Sequence, residues 1–226
     1  MAFLTTVWSI VRKDLTVEVR SREVVVTTLF FAVSCVLVFA FALVKDGRAP
    51  VDVAAAALWV AIMFSGNLAL GRTFERERQS ETLRALLLAP ASRPAVYVGK
   101  LLGVVILLAV TEAVLVPLVA LLFQAPLLDH PFWLAAVVVS GTTGFASVGT
   151  LFAAMLVRAR TRDMLLPVML YTITFPVIIA GGRATVALLQ PDVDVALLRF
   201  WVLLLLCFDV VFVTLALWTF EPLMAD

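Results

Sequence analysis

Glu112 and Asp209 are acids where acids are scarce. Each lies near the middle of an apolar run long enough to cross a bilayer. A carboxyl at the centre of a membrane helix costs roughly 2.5–3.5 kcal/mol to insert, so neither is expected to face lipid. No lysine or arginine lies at comparable depth. Each acid therefore needs a hydroxyl or amide partner, a watery cavity or a proton. Asn67, Thr111 and Thr214 are the polar side chains available to help. The roles open to the pair are lining a pathway or partner interface, carrying protons, and bundle glue.

A second cluster lies between two apolar runs, in "FERERQSETLRALLLAPASRP", Phe74 to Pro94. Glu75, Arg76, Glu77, Arg78 and Gln79 are too polar for the bilayer yet read as helix, so the preceding span is expected to project beyond it. Ser80 can cap a new helix and Glu81 then sits near its positive end. Thr82 and Arg84 flank a leucine edge, Leu83, Leu86 and Leu87, at three- and four-residue spacing, and Pro90 closes the run. A helix of about nine residues is marginal in water, so it requires a surface: lipid, the amino-terminal helix or another protein. Charges of both signs beside the leucines suit docking to a protein better than attraction to anionic lipid.

Other chemistry finds little support. Gly99-Lys100 lacks the upstream glycine and the following Ser or Thr of a nucleotide-binding GxxxxGK[ST] loop. There is no GxSxG or HExxH, and no enzymatic activity is expected. His130, the only histidine, lies beside Asp129 in a short connection, which excludes bis-histidine ligation within one chain. Met63, Met155, Met164 and Met169 read as packing residues, and Cys35 and Cys207 as buried small hydrophobes. No metal site is expected.

The elements that must position these residues are helices in a membrane. Of 226 residues 63% are hydrophobic and 15% charged, and the mean hydropathy is +1.11, far from the roughly 25% charged of soluble domains. The runs predict an all-α integral membrane protein of one domain, with spans at about 24–44, 53–73, 98–123, 132–157, 164–180 and 200–220. The fifth is the shortest and holds Pro167 and Pro176; a re-entrant path there is the alternative. Ahead of them residues 3–20 read as an interfacial helix, with Leu4, Trp8, Val11 and Leu15 on one side and Thr5, Ser9, Arg12, Lys13 and Thr16 on the other. Its cations follow its apolar residues, unlike a signal peptide's. With the amino end inside, thirteen of the seventeen Lys and Arg fall on inner segments, which predicts both termini in the cytoplasm. Ser140 with Gly144, and Gly149 with Ala153, have the small-xxx-small spacing of close helix packing. Pro117, Pro167 and Pro176 are candidate bends, and the fifth span, with Gly181-Gly182 beyond its prolines, is the expected mobile element.

"RERQSETLRALLLAPASRPAVYVGK" resembles the loop between the second and third helices of ABC-2-type permeases. The likeness extends over nearly the whole chain in "VRKDLTVEVRSRE", "WVAIMFSGNLALGRTFERERQSETLRALLLAP" and "LLPVMLYTITFPVIIAG". Together these resemble the CcmB family, the heme exporter B proteins of cytochrome c maturation. The resemblance implies a non-catalytic permease of the bacterial inner membrane, a homodimer joined to two CcmA-like ATPases that bind ATP and magnesium. It implies partners like CcmC and CcmD and a CcmE-like heme chaperone, with heme as substrate or on a partner. It also implies that 75–90 is the coupling segment touching the ATPase and that the amino-terminal helix is an elbow. An ABC-2 permease for a lipid, drug or peptide, and a proton-coupled transporter using Glu112 or Asp209, are the competing expectations.

Overall fold

In the computed structural model, residues 3–44, 50–79, 92–156 and 161–223 are described. They form seven helices: α1 (Phe3–Ser21), α2 (Glu23–Leu43), α3 (Val51–Gln79), α4 (Arg93–Phe123), α5 (Pro131–Met155), α6 (Arg162–Leu188) and α7 (Val195–Leu223). Six of these, α2 to α7, are long and apolar enough to cross a membrane. The 21 residues of α2 reach about 31 Å, near the thickness of the hydrocarbon core. The 31 residues of α4 reach about 46 Å and exceed it.

α3, α4, α6 and α7 run past their expected limits by two or more residues on at least one side, because polar residues at the ends continue the backbone pattern that the apolar core begins, while α2 and α5 match theirs to within two residues. α3 extends to Gln79, as its charged tail suggested. Ser80, Glu81, Thr82, Leu83, Arg84, Leu86, Leu87 and Pro90 lie outside the described residues, as do the side chains of Arg76, Glu77, Arg78 and Gln79.

The fifth span departs from expectation. α6 is a continuous helix of 27 residues that includes Pro167, Pro176 and both glycines. It is longer than α2, so it is neither the shortest span nor too short to cross. Pro117 likewise lies inside an unbroken α4. A proline removes one donor and crowds one carbonyl, which local adjustment inside a helical bundle can absorb without ending the helix.

α1 also differs in its packing face. Thr6, Val7, Ile10 and Val11 are buried, whereas Leu4 and Trp8 are 77% and 66% exposed. The apolar residues thus divide between two faces. Val7 and Val11 cluster with Ala95 of α4, joined by half-buried Leu15 and Val98. Leu4 and Trp8 remain available to the membrane interface.

α5 is the most enclosed span and packs against α3, α4, α6 and α7. Small residues allow this. A Cβ added at Gly149 would lie 2.2 Å from Leu70 Cδ1, and one at Gly66 would lie 2.5 Å from Phe145 Cε1. Trp59 of α3 uses the same device twice, since a Cβ at Gly141 or Gly181 would come within 2.1 Å or 2.3 Å of its ring. The indole is wedged among α3, α5 and α6. Its Nε1 donates to Thr185 Oγ1 at 2.9 Å, and Thr185 Oγ1 in turn donates to Gly181 O at 2.8 Å. A buried ring with its one polar atom satisfied adds packing without an orphaned donor.

Candidate functional site

Two groups of residues carry chemistry. The first is a layer of polar side chains inside the bundle. Glu112 on α4 is buried, and Thr142 of α5 donates its hydroxyl to Glu112 Oε1. Asp209 on α7 is also buried and meets α5 two residues further along, where a Cβ on Gly144 would sit 2.7 Å from Asp209 Oδ1 and 3.1 Å from Phe208 Cδ1. The acids therefore flank one helix at nearly one level. Successive helical residues turn by about 100°, so Thr142 and Gly144 point to well-separated sides of α5. One acid is shared with α4 and the other with α7.

Their environments differ. Glu112 has a hydroxyl partner, while Asp209 Oδ1 has no hydrogen-bond partner among the described residues, a condition it shares with Asn67 Oδ1 and Thr150 Oγ1. The polar partner for Glu112 is Thr142, not Thr111. Thr111 Oγ1 turns back to the carbonyl of Leu107 at 3.4 Å. Depth alone could not choose between these hydroxyls, because facing depends on how α4 and α5 are rotated against each other.

The second group lies where α1 crosses the start of α4. Gly99 makes room, since a Cβ there would lie 2.9 Å from Ile10 Cβ. The next residue, Lys100, is buried, and its Nζ donates to Asp14 Oδ2 at 2.7 Å. Lys13 Nζ lies 2.9 Å from the other oxygen of the same carboxylate. In the sequence Lys100 counted only as an inner-side cation and as half of a Gly-Lys pair that fails as a nucleotide loop. The available signal was its position: a lysine that far into an apolar run needs an acid, and Asp14 stands in a helix with a helical apolar pattern.

The connection from α1 to α2 is short. Arg22 takes a left-handed conformation at φ 53°, and Glu18 Oε1 accepts from the backbone N–H of Val25 at 2.8 Å. That side chain serves one of the donors left open at the start of α2. Glu75 is half-buried, next to fully buried Phe74, just before α3 leaves the described residues. The start of α4 and the end of α3 bracket residues 80–91, so the Asp14–Lys100 contact lies on the helix that resumes after that segment. Tyr97, in the first turns of α4, donates its hydroxyl to Ser147 O at 3.0 Å and links this end to α5.

Elsewhere, His130 is exposed at the start of α5. No group of three or more His, Cys, Asp or Glu positioned for a metal ion occurs among the described residues.

Six apolar helices, with the glycine-lined α5 central among them and an amphipathic helix bonded to one end by an ion pair, define an all-helical protein of the multi-pass membrane class. The sequence matches the family model described as CcmB protein over residues 5–223. The chain belongs to the CcmB family. Among its curated relatives, heme exporter protein B of Rhodobacter capsulatus is 25% identical over 175 residues, which cover 77% of this chain and 80% of that protein. Heme exporter protein B of Escherichia coli K12 is 29% identical over 96 residues, covering 42% of this chain and 44% of the relative. The alignment thus spans less than half the length of the Escherichia coli protein.

Proposed function

We propose that this chain is the permease subunit of an ABC-type complex in cytochrome c maturation, which turns ATP hydrolysis on a separate ATPase into heme export or release of a heme-loaded chaperone. The observation that carries this reading is the CcmB match from residue 5 to residue 223, with relatives named heme exporter protein B. Two permeases and two CcmA-like ATPases, with ATP and magnesium on the latter, form the working unit. CcmC-like and CcmD-like membrane proteins and a CcmE-like chaperone complete it. The chain lies in the bacterial inner membrane with both termini in the cytoplasm, a reading supported by the bias of Lys and Arg to one set of segments.

In this mechanism Glu75 to Pro90 receives the push of the ATPase, and α1 acts as an elbow. The push reaches the start of α4. There the bond from buried Lys100 to Asp14 couples α4 to α1, while Tyr97 couples it to the central α5. Movement of α5 then alters its contacts with α4 and α7, where Glu112 and Asp209 lie. The acids serve as pathway or interface groups that change partners as α5 shifts.

Co-purification with the ATPase tests the coupling. Leu83→Asp or Leu87→Asp should abolish association while leaving the permease in the membrane; association at the wild-type level would overturn the coupling assignment. In a deletion strain heme attachment to c-type cytochromes should be lost, and normal attachment would remove the maturation role. A second reading, proton-coupled transport, draws support from Asp209, a buried acid without a described hydrogen-bond partner. It requires Glu112→Gln with Asp209→Asn to stop transport while the ATPase stays bound.

A further inference from the structure

A groove of about 540 Å³ opens between α3 and α6 on the side of the bundle where α3 begins and α6 ends. Its charged residues are Asp52 and Arg183, both exposed, and neither makes an ion pair or hydrogen bond with another described residue. Trp59 forms part of the wall, and Val60, Ile178 and Ile179 line the deeper part. Gly182 leaves space within it, since a Cβ there would meet nothing within 4 Å.

The groove has a polarity. Along α3 it runs from Asp52 in the first turn to Val60, eight residues or about 12 Å further in. Along antiparallel α6 it runs inward from Val186 through Arg183 to Ile178. Val186, Arg183 with Gly182, and Ile179 with Ile178 follow one another along α6 as Asp52, Ala55 with Ala56, and Trp59 with Val60 do along antiparallel α3, and the Trp59 ring that meets Gly181 and Thr185 leans toward the start of α3, so Arg183 starts about one helical turn deeper than Asp52. Along the backbone the order from the mouth inward is therefore Asp52, Arg183, then aliphatic wall.

We propose that this groove binds a phospholipid with a primary amine in its headgroup, such as phosphatidylethanolamine. The ammonium lies outermost and pairs with Asp52. The phosphate lies next and is held by Arg183, whose planar fork suits two phosphate oxygens. One acyl chain occupies the apolar depth. The volume falls within the ordinary range of small-molecule sites. A porphyrin with two carboxylates fits the charge order less well: Asp52 opposes the second carboxylate, and the lining residues include no His, Cys, Met or Tyr to take an iron. A lipid seated there lies beside Trp59, the contact that joins α3 to α6, and so biases how those spans pack. This assignment goes beyond the maturation role and is independent of it.

Native mass spectrometry of the full chain, with any subunits that co-purify, in phosphatidylethanolamine, phosphatidylglycerol or protoporphyrin IX tests the assignment. The amine lipid should be retained in preference to the glycerol lipid. Asp52→Asn should erase that preference, Arg183→Gln should weaken both lipids by roughly tenfold, and Gly182→Leu should exclude them by filling open space. A thermal midpoint close to wild type confirms that Gly182→Leu is folded. Equal retention of the two lipids by the wild type, unchanged retention in folded Gly182→Leu, or displacement of the amine lipid by protoporphyrin would each overturn it. Cytochrome c maturation is a separate readout, so loss of this site leaves the proposed function standing, and the reverse also holds.

Discussion

Lys100 Nζ donates to Asp14 Oδ2 at 2.7 Å, and Lys100 is only 2% exposed. A helix that sequence patterning assigns to the membrane interface is thereby bonded to a membrane-spanning one. Asp14 is partly exposed, so removing it should cost less than the roughly 3–5 kcal/mol of breaking a fully buried pair.

Asp14→Ala should therefore lower the thermal midpoint in detergent clearly, and Lys100→Met added to it should restore most of the loss. A double variant as unstable as the single one would show that the pair contributes through more than its stranded charge.

Gly144→Ala should destabilise the bundle, because the new methyl would press on Asp209 Oδ1 at 2.7 Å. Overpacking of this kind costs typically 1–3 kcal/mol. Asp209→Ala in the same chain should relieve it. If the second change gives no recovery, the contact between α5 and α7 is not the source of the strain.

Trp59→Ala should be among the most damaging single changes, with a loss of roughly 3–5 kcal/mol from the vacated volume, although Thr185 keeps its bond to Gly181 O. Trp59→Phe should cost less, since the ring remains and only the 2.9 Å bond goes. Gly181→Leu should block folding, whereas Gly182→Ala should be tolerated. The adjacent glycines differ because Trp59 lies against one and open space against the other. Folded yield by size-exclusion chromatography separates them.

Thr142→Val should remove the hydroxyl that Glu112 accepts from, at a cost of roughly 1–3 kcal/mol for a buried group left without its partner. Glu112→Gln keeps an acceptor oxygen and should be milder. Combining Thr142→Val with Glu112→Gln in a double-mutant cycle measures the coupling; strict additivity would mean that the two side chains do not interact.

Much of the fold was legible beforehand because each span declares itself locally. An apolar run such as Pro131–Met155 must be helical in lipid, where every backbone polar group has to be satisfied within the segment. The acids at 112 and 209 were legible for the same reason, since their cost depends on depth. Thr142 was not, because a hydroxyl that bonds a neighbouring helix looks like one that bonds its own backbone. The end of the fifth span, set at residue 180, was not legible, because whether Gly181-Gly182 stops a helix depends on whether surrounding helices hold the chain in line. Val11, grouped with Leu4 and Trp8 but buried beside Ala95, was not legible, because a helical stripe shows periodicity without naming the surface that covers it.

The sequence by itself determined the class of molecule: six apolar spans, an amphipathic leading helix, and a charged interruption between the second and third spans. Those features follow from the free energy of placing each residue type in water or hydrocarbon, which needs no knowledge of neighbours. Tertiary structure alone decided that α5 is the hub, that Trp59 is wedged against Gly141 and Gly181, that Lys100 answers Asp14, and that Glu112 finds a hydroxyl while Asp209 lies against Gly144. Those pairings depend on the rotation and registry of helices against one another, and shape complementarity across the whole bundle sets these.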